Sequence, residues 1–174
     1  MIYYISDTHF GDERIMKLCH RPFASVEEMD KTIIDNWNAR VSKDDLVYVL
    51  GDIAFNDDHA EIFFRLNGEK ILLLGNHDKD LKIDKLKCFR QIDKLITIKD
   101  MGRSVCLCHY PMISFENSIY GGYHVFGHIH NNVNDVAFNL QKQVANIFNC
   151  GVDENDFEPK TLDELIERKR NNLI

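Results

Sequence analysis

An α/β fold is predicted by two observations on this chain: short apolar runs that each end in a small or polar residue, and, set between them, amphipathic stretches that open on capping residues. Met1 to Ile5 is the first such run. Ser25-Val26-Glu27-Glu28 has the form of a capping box, and Val26, Met29, Ile33 and Trp37 follow at helical spacing, which predicts a helix from about Val26 to Arg40 with Trp37 in the core. Val41 to Asp45 reads as a turn and Leu46 to Leu50 as a buried strand. Asp57 to Leu66 reads as a second helix closed by Asn67-Gly68, and Ile71 to Leu74 as a third strand. From Leu95 the pattern changes. Leu95 to Lys99 and Arg103 to His109, joined by Asp100-Met101-Gly102, predict a hairpin. His124 to Phe126 and Val144 to Phe148 supply further strands, and Thr161-x-x-Glu164 caps a terminal helix. No linker, repeat or low-complexity segment divides the 174 residues, so a single domain over 1–174 is expected.

With 44% apolar and 28% charged residues the composition is that of a soluble globular protein. No run approaches the roughly 20 apolar residues of a membrane span. Met1 to Ile5 has no basic leader and runs directly into Asp7, which argues against a signal peptide and for the cytoplasm. Five cysteines, an odd number without a C-x-x-C pair, argue against a disulfide framework or a zinc ribbon and read as small core residues in a reducing compartment. The net charge of −7 disfavours stable binding to a long polyanion such as nucleic acid. Lys79, Lys82, Lys85 and Lys87 are interleaved with acidic residues and read as a solvated face.

Chemistry concentrates at the ends of the apolar runs. Asp7-Thr8-His9 follows the first, Gly51-Asp52 the second and Gly75-Asn76-His77-Asp78 the third; His109 follows Val105 to Cys108, and Gly127-His128-Ile129-His130 follows His124 to Phe126. A single sheet could deliver all five to one edge. Residues two apart on an extended backbone point the same way, so Asp7 with His9, and His128 with His130, can reach one cluster. Carboxylate, imidazole and amide oxygen without thiolate form the donor set of a hydrolytic centre for borderline divalent ions. Asp52 can bridge two cations through its two oxygens, and a pair about 3.5–4 Å apart would clamp a phosphoryl oxygen and acidify a water.

The series D-x-H, G-D, G-N-H-D, a lone His and G-H-x-H resembles the calcineurin-like metallophosphoesterase family, matched in the family's order over Asp7 to His130. The resemblance implies a sandwich of central mixed sheets flanked by helices in four α/β/β/α layers, and hydrolysis by a water held between two metals. It implies one metal on Asp7, His9, Asp52 and His130, and a second on Asp52, Asn76, His109 and His128. Manganese, iron, zinc, cobalt or nickel would suit such ligands. The family gives His77 the task of protonating or hydrogen-bonding the leaving oxygen, and Asp78 beside it could orient its ring and raise its pKa. One departure is Phe55, which stands where the family often carries a charged residue three positions after the G-D aspartate.

The substrate expected is a small, nucleotide-like phosphodiester, since no added cap for an elaborate substrate fits within the chain. A phosphomonoesterase is the runner-up, followed by a nuclease and by a non-catalytic scaffold on the same fold. The segment from Tyr110 to Tyr123 is a candidate substrate lip or an ordinary connection; Arg14 and Arg21 could reach a phosphate or lie on the surface. His20 and His59 are assigned no role.

Overall fold

Residues 1–172 are described in a computed structural model, except for the side chains of Asp84 and Asn172. The first sheet is formed by β1 (Ile2–Ile5), β2 (Leu46–Val49), β3 (Glu69–Leu73) and β4 (Phe89–Asp93), parallel and in chain order. The second is formed by β5 (Leu95–Asp100), β6 (Arg103–Cys108), β7 (Tyr123–Phe126) and β8 (Ile147–Asn149); β5 is antiparallel to β6 and the remaining pairs are parallel. The motif-bearing strands are thus divided between two sheets, where the strand ends taken alone would also have allowed one.

Period-two alternation sorts the side chains of the first sheet. Tyr3, Ile5, Val47, Val49 and Leu72 pack with Ile15 of α1 (Glu13–Leu18), with Met29, Ile33 and Trp37 of α2 (Val26–Arg40) and with Ala60 of α3 (Asp57–Ala60). Tyr4, Tyr48, Ile71 and Leu73 face the other way and share a cluster with Val105, Leu107, Val125 and Phe148 of the second sheet and with Leu162 and Leu165 of α5 (Leu162–Asn172). On the far face of the second sheet, Phe126 and Ile147 pack with Ala137, Phe138 and Leu140 of α4 (Val136–Gln143). Trp37 is fully buried with its Nε1–H on the carbonyl of Asn67 at 2.9 Å.

Local chemistry accounts for most element boundaries. Helix α2 starts where the capping box places it: Ser25 Oγ accepts the Glu28 N–H at 3.2 Å, although Glu28 reaches back to Ala24 rather than Ser25. At α5 the box is reciprocal between Thr161 and Glu164. Met101 (φ 47°) and Gly102 (φ 84°) form the tight link of the β5–β6 hairpin, a two-residue turn that needs positive φ at both positions. The predicted helix over Asp57 to Leu66 is only one α-turn followed by a 3₁₀ segment over Glu61–Arg65. The strand expected from Val144 begins at Ile147, because α4, capped by Asp135, runs up to Val144. All five cysteines are free and four are buried. No helix among the described residues is long and apolar enough to cross a membrane.

Besides their shared apolar face, the sheets are joined by a backbone bridge that positions the site. Ser6, just past β1, forms a parallel bridge with Gly151, just past β8, through Ser6 N–H to Cys150 O at 3.2 Å and Val152 N–H to Ser6 O at 3.1 Å.

Candidate metal centre

The sequence-predicted donors gather past the C-terminal ends of β1, β2, β3, β6 and β7. The loops after β1 and β2 run side by side, with Asp7 N–H on Gly51 O at 3.0 Å and His9 N–H on Asp52 O at 3.1 Å. Asp7, His9, Asp52, His128 and His130 all hold positive φ, between 48° and 73°. Non-glycine residues in this region are uncommon and carry strain, which collects at functional sites. The motif glycines allow the close approach: a Cβ on Gly75 would meet Asp52 Oδ1 at 2.2 Å, and one on Gly51 (φ 83°) would meet the Gly75 nitrogen at 2.4 Å.

Two donor clusters result. Asp7, His9 and His130 each offer a ligand atom within 4.8 Å of the others, and so do Asp52, His109 and His128. Asn76 joins the second, its Oδ1 lying 3.1 Å from His109 Nε2. Asp52 Oδ2 lies between the clusters, 3.4 Å from His109 Nε2 and 3.8 Å from His9 Nε2. The other oxygen, Oδ1, accepts the backbone N–H of His77 at 2.9 Å. Each cluster takes donors from both sheets.

The donors fit divalent cations. Three of the imidazoles turn Nδ1 away from the centre toward an acceptor: His109 to Leu50 O at 2.6 Å, His130 to Asp153 Oδ2 at 2.7 Å, and His9 toward Asp12 Oδ2 at 3.8 Å. That is how a metal-binding histidine is oriented, with the free Nε2 facing the ion. His9 Nε2 is buried and has no hydrogen-bond partner among the described residues, and a cation would satisfy it.

Electrostatics agree with the geometry. Burial alone would raise Asp52, but the His109 imidazole opposite holds it at about 2. Burial would lower His109, yet Asp52 and Asp7 lift it to about 9, and Asp153 lifts His130 to about 10 against the same penalty. His128 is lowered by burial and by neighbouring His109. The carboxylates therefore draw positive charge to both clusters, whether as protons or as metal ions.

The remaining candidates fall into distinct places. His77 is exposed at the edge of the site, its ring 5.4 Å from that of His9. Asp78 is buried and forms no hydrogen bond with the His77 ring among the described residues; it accepts the backbone N–H groups of Asp52, Ile53 and Gly75 at 3.0, 2.9 and 2.7 Å. Its carboxylate is occupied by the loops that present Asp52, so the ring-orienting role expected for it finds no contact. Arg14 is exposed, pairs with Asp12 and lies over the Phe55 ring at 4.8 Å, whereas Arg21 is buried against Asp153. Tyr110, half-exposed, packs edge-on against His109 and His128 at 5.1 and 4.8 Å, bringing the start of the Tyr110 to Tyr123 segment to the site wall. Asp12 and Asp153 were not singled out by their sequence context. The signal for Asp153 was its place in Cys150-Gly151-Val152-Asp153, a glycine and an acid just past a strand as in the other motifs.

No family model matches the sequence. The chain is 36% identical over 171 residues to the uncharacterized protein MJ1445 of Methanocaldococcus jannaschii, covering 95% of this chain and 89% of that one. The crystal structure of AQ665 from Aquifex aeolicus, a protein of unknown function, superposes with a TM-score of 0.74 at 28% identity, covering 100% and 99% of the two chains. The nuclease MPE of Pseudomonas putida aligns over 74% of this chain and 60% of its own, at a TM-score of 0.48 and 15% identity, too loosely to carry function across.

Proposed function

We propose that this chain, which belongs to one family with MJ1445 of Methanocaldococcus jannaschii, is a dinuclear metal-dependent phosphoesterase of the calcineurin-like type acting on a small phosphodiester. The observation that carries the proposal is the position of Asp52 Oδ2, in reach of both His9 and His109 and so of both donor clusters. Asp7, His9, Asp52 and His130 would hold one ion, and Asp52, Asn76, His109 and His128 the other. Bound there, a pair of divalent ions supplies a Lewis acid for the phosphoryl oxygens and a water acidic enough to attack at neutral pH.

The protein's own groups then have defined tasks. Asp52 spans the clusters through Oδ2 while its Oδ1 is steadied by the His77 N–H, which fixes the carboxylate plane. His77 itself stands at the exposed edge beside His9, where its ring can give a proton or hydrogen bond to the departing oxygen. Asp78 acts as a positioning residue for Asp52 through backbone hydrogen bonds. The sandwich layering of the calcineurin-like fold and a single domain are supported by the three apolar clusters, one between the sheets and one against the outer face of each.

A small substrate is favoured by the net charge of −7 and by Tyr110, whose half-exposed ring packs against His109 and His128 and can stack on a flat organic group such as a nucleobase. The rest of the Tyr110 to Tyr123 segment runs to the start of β7, where Tyr123 pairs with Val105 and Asn117 bonds Ser104, away from the donors. The test is to load purified protein with Mn²⁺ and assay chromogenic phosphodiesters and monoesters, then a panel of small nucleotide diesters. Turnover of a diester above the monoesters supports the proposal. Faster turnover of monoesters shifts it to a phosphatase, and absence of any phosphoester hydrolysis with metal bound overturns it.

A further inference from the structure

Arg21 and Asp153 form an ion pair with side chains 0% and 1% exposed, immediately behind one of the two donor clusters. Its Nε and Nη2 donate to Asp153 Oδ1 and Oδ2 at 2.8 and 2.9 Å. The same guanidinium reaches back to the motif loop, with Nη2 on Asp7 O at 2.7 Å and Nη1 on Thr8 O at 3.1 Å. Asp153 Oδ2 in turn accepts from His130 Nδ1 at 2.7 Å.

Resting on the two-metal reading above, we infer that Arg21 and Asp153 are positioning residues that tune one metal site selectively, the one built from Asp7, His9 and His130. A buried charge is costly unless paired and hydrogen-bonded, and this pair is fully committed to the site. Arg21 fixes the carbonyls of a loop whose Asp7 and His9 sit at φ 56° and 48°. Asp153 fixes the tautomer and plane of the His130 ring and increases the electron density available at Nε2. All three donors of that cluster are therefore referenced to one guanidinium. In the other cluster His109 takes its outer acceptor from Leu50 O, and the link to the braced loop is one step removed, through the His128 backbone N–H on the Asp7 carboxylate at 3.0 Å. Arg21 is thus assigned to the support of the centre and away from substrate phosphate.

Cys19, His130 and Asp153 also offer atoms within 4.8 Å of one another. They do not make a third metal site, because both Asp153 oxygens are occupied by Arg21 and His130, and any cation there would face the guanidinium.

The experiment is calorimetric titration of the full chain with Mn²⁺ alone. Wild type is expected to show two binding events, and Asp153→Asn to weaken one by about 10- to 100-fold while leaving the other within about 2-fold. His128→Ala should weaken the complementary event. Two events in wild type, with both unchanged or both equally weakened in Asp153→Asn, would overturn the positioning role while sparing the two-metal reading. A wild type that binds no divalent ion would overturn both. Because removing one partner of a buried pair can prevent folding, a second measurement uses wild type only. In the zinc-loaded protein, long-range ¹H–¹⁵N correlation should show His130 with its proton on Nδ1, and a proton on Nε2 would overturn the inference.

Discussion

The carboxylate of Asp78 accepts the backbone N–H of Asp52 at 3.0 Å, so the residue that follows His77 in the chain secures the loop presenting the carboxylate that lies between the two donor clusters. With Ile53 and Gly75 it completes a set of backbone donors that would be left buried without a partner. Asp78→Ala should therefore destabilise the metal-free protein by about 1–3 kcal/mol, a fall in Tm of about 3–10 °C for a chain of this size. Differential scanning calorimetry checks it; an unchanged Tm would mean that other groups or water take over the donors.

Asp52, whose Oδ2 lies 3.4 Å from His109 and 3.8 Å from His9, is in the proposed two-metal centre the donor shared by both clusters. Its replacement by Ala should lower metal content at both and reduce kcat/KM by at least about 10²-fold, the scale of losing one preorganised charge from a transition state. Elemental analysis and a diester assay on the same sample test this. Full stoichiometry in the variant would remove Asp52 from the bridge.

For His77 the expectation is a split by leaving group. His77→Ala should lower kcat by about 10²–10⁴-fold for esters with poor leaving groups and far less for activated aryl esters, with metal content unchanged. An equal loss across the series would assign the ring to orienting substrate, and a loss of metal would make it a ligand.

Salt dependence reports on substrate size. With a net charge of −7, small diesters should be turned over at rates nearly independent of ionic strength and faster than long nucleic acids. Preference for a long strand, with affinity falling steeply as salt rises, would contradict this.

Lys169 gives a pH signature remote from the metals. Burial lowers it from 10.5 to about 8, although its ammonium donates to the carbonyls of Gln141, Val144 and Ile147. A folded pKa below the unfolded one means the folded chain gives up its proton first. Wild type should thus gain stability relative to Lys169→Met as pH rises from about 8 to 10.5, and the difference should be flat below 8. Denaturation at several pH values reads the difference. A flat difference throughout would show that the three carbonyls hold the ammonium at its ordinary pKa.

Sequence was most informative where a pattern is local. The Ser25 cap and the Met29, Ile33 and Trp37 spacing placed α2 at its observed bounds, and the Asp100-Met101-Gly102 link placed the hairpin. The site motifs were readable because each follows a strand end. What escaped depends on long-range partners. Whether β1 and β6 belong to one sheet or two is decided by which faces pack together, and their alternation is the same in either case. Asp153 carried the weak signal of a glycine and an acid past a strand, but its partner was fixed by the fold, which brings it beside His130, 23 positions away in sequence. Helix α4 escaped because it is only 8 residues long and its Asp135 cap is followed three positions on by Phe138, so no capping box announces it.

Donors from two separate sheets converge on each cluster, so bound ions would act as staples as well as reagents. One would tie the β1 and β2 loops to the β7 loop and the other the β2 and β3 loops to the β6 and β7 loops, adding to the bridge at Ser6 and Gly151. Ligands that bind only the folded state stabilise it by mass action, about 2.7 kcal/mol at 100 times Kd. Metal supply and resistance to unfolding would then be one property in this protein, and a cell short of its ion would hold a chain that is both inactive and more easily degraded.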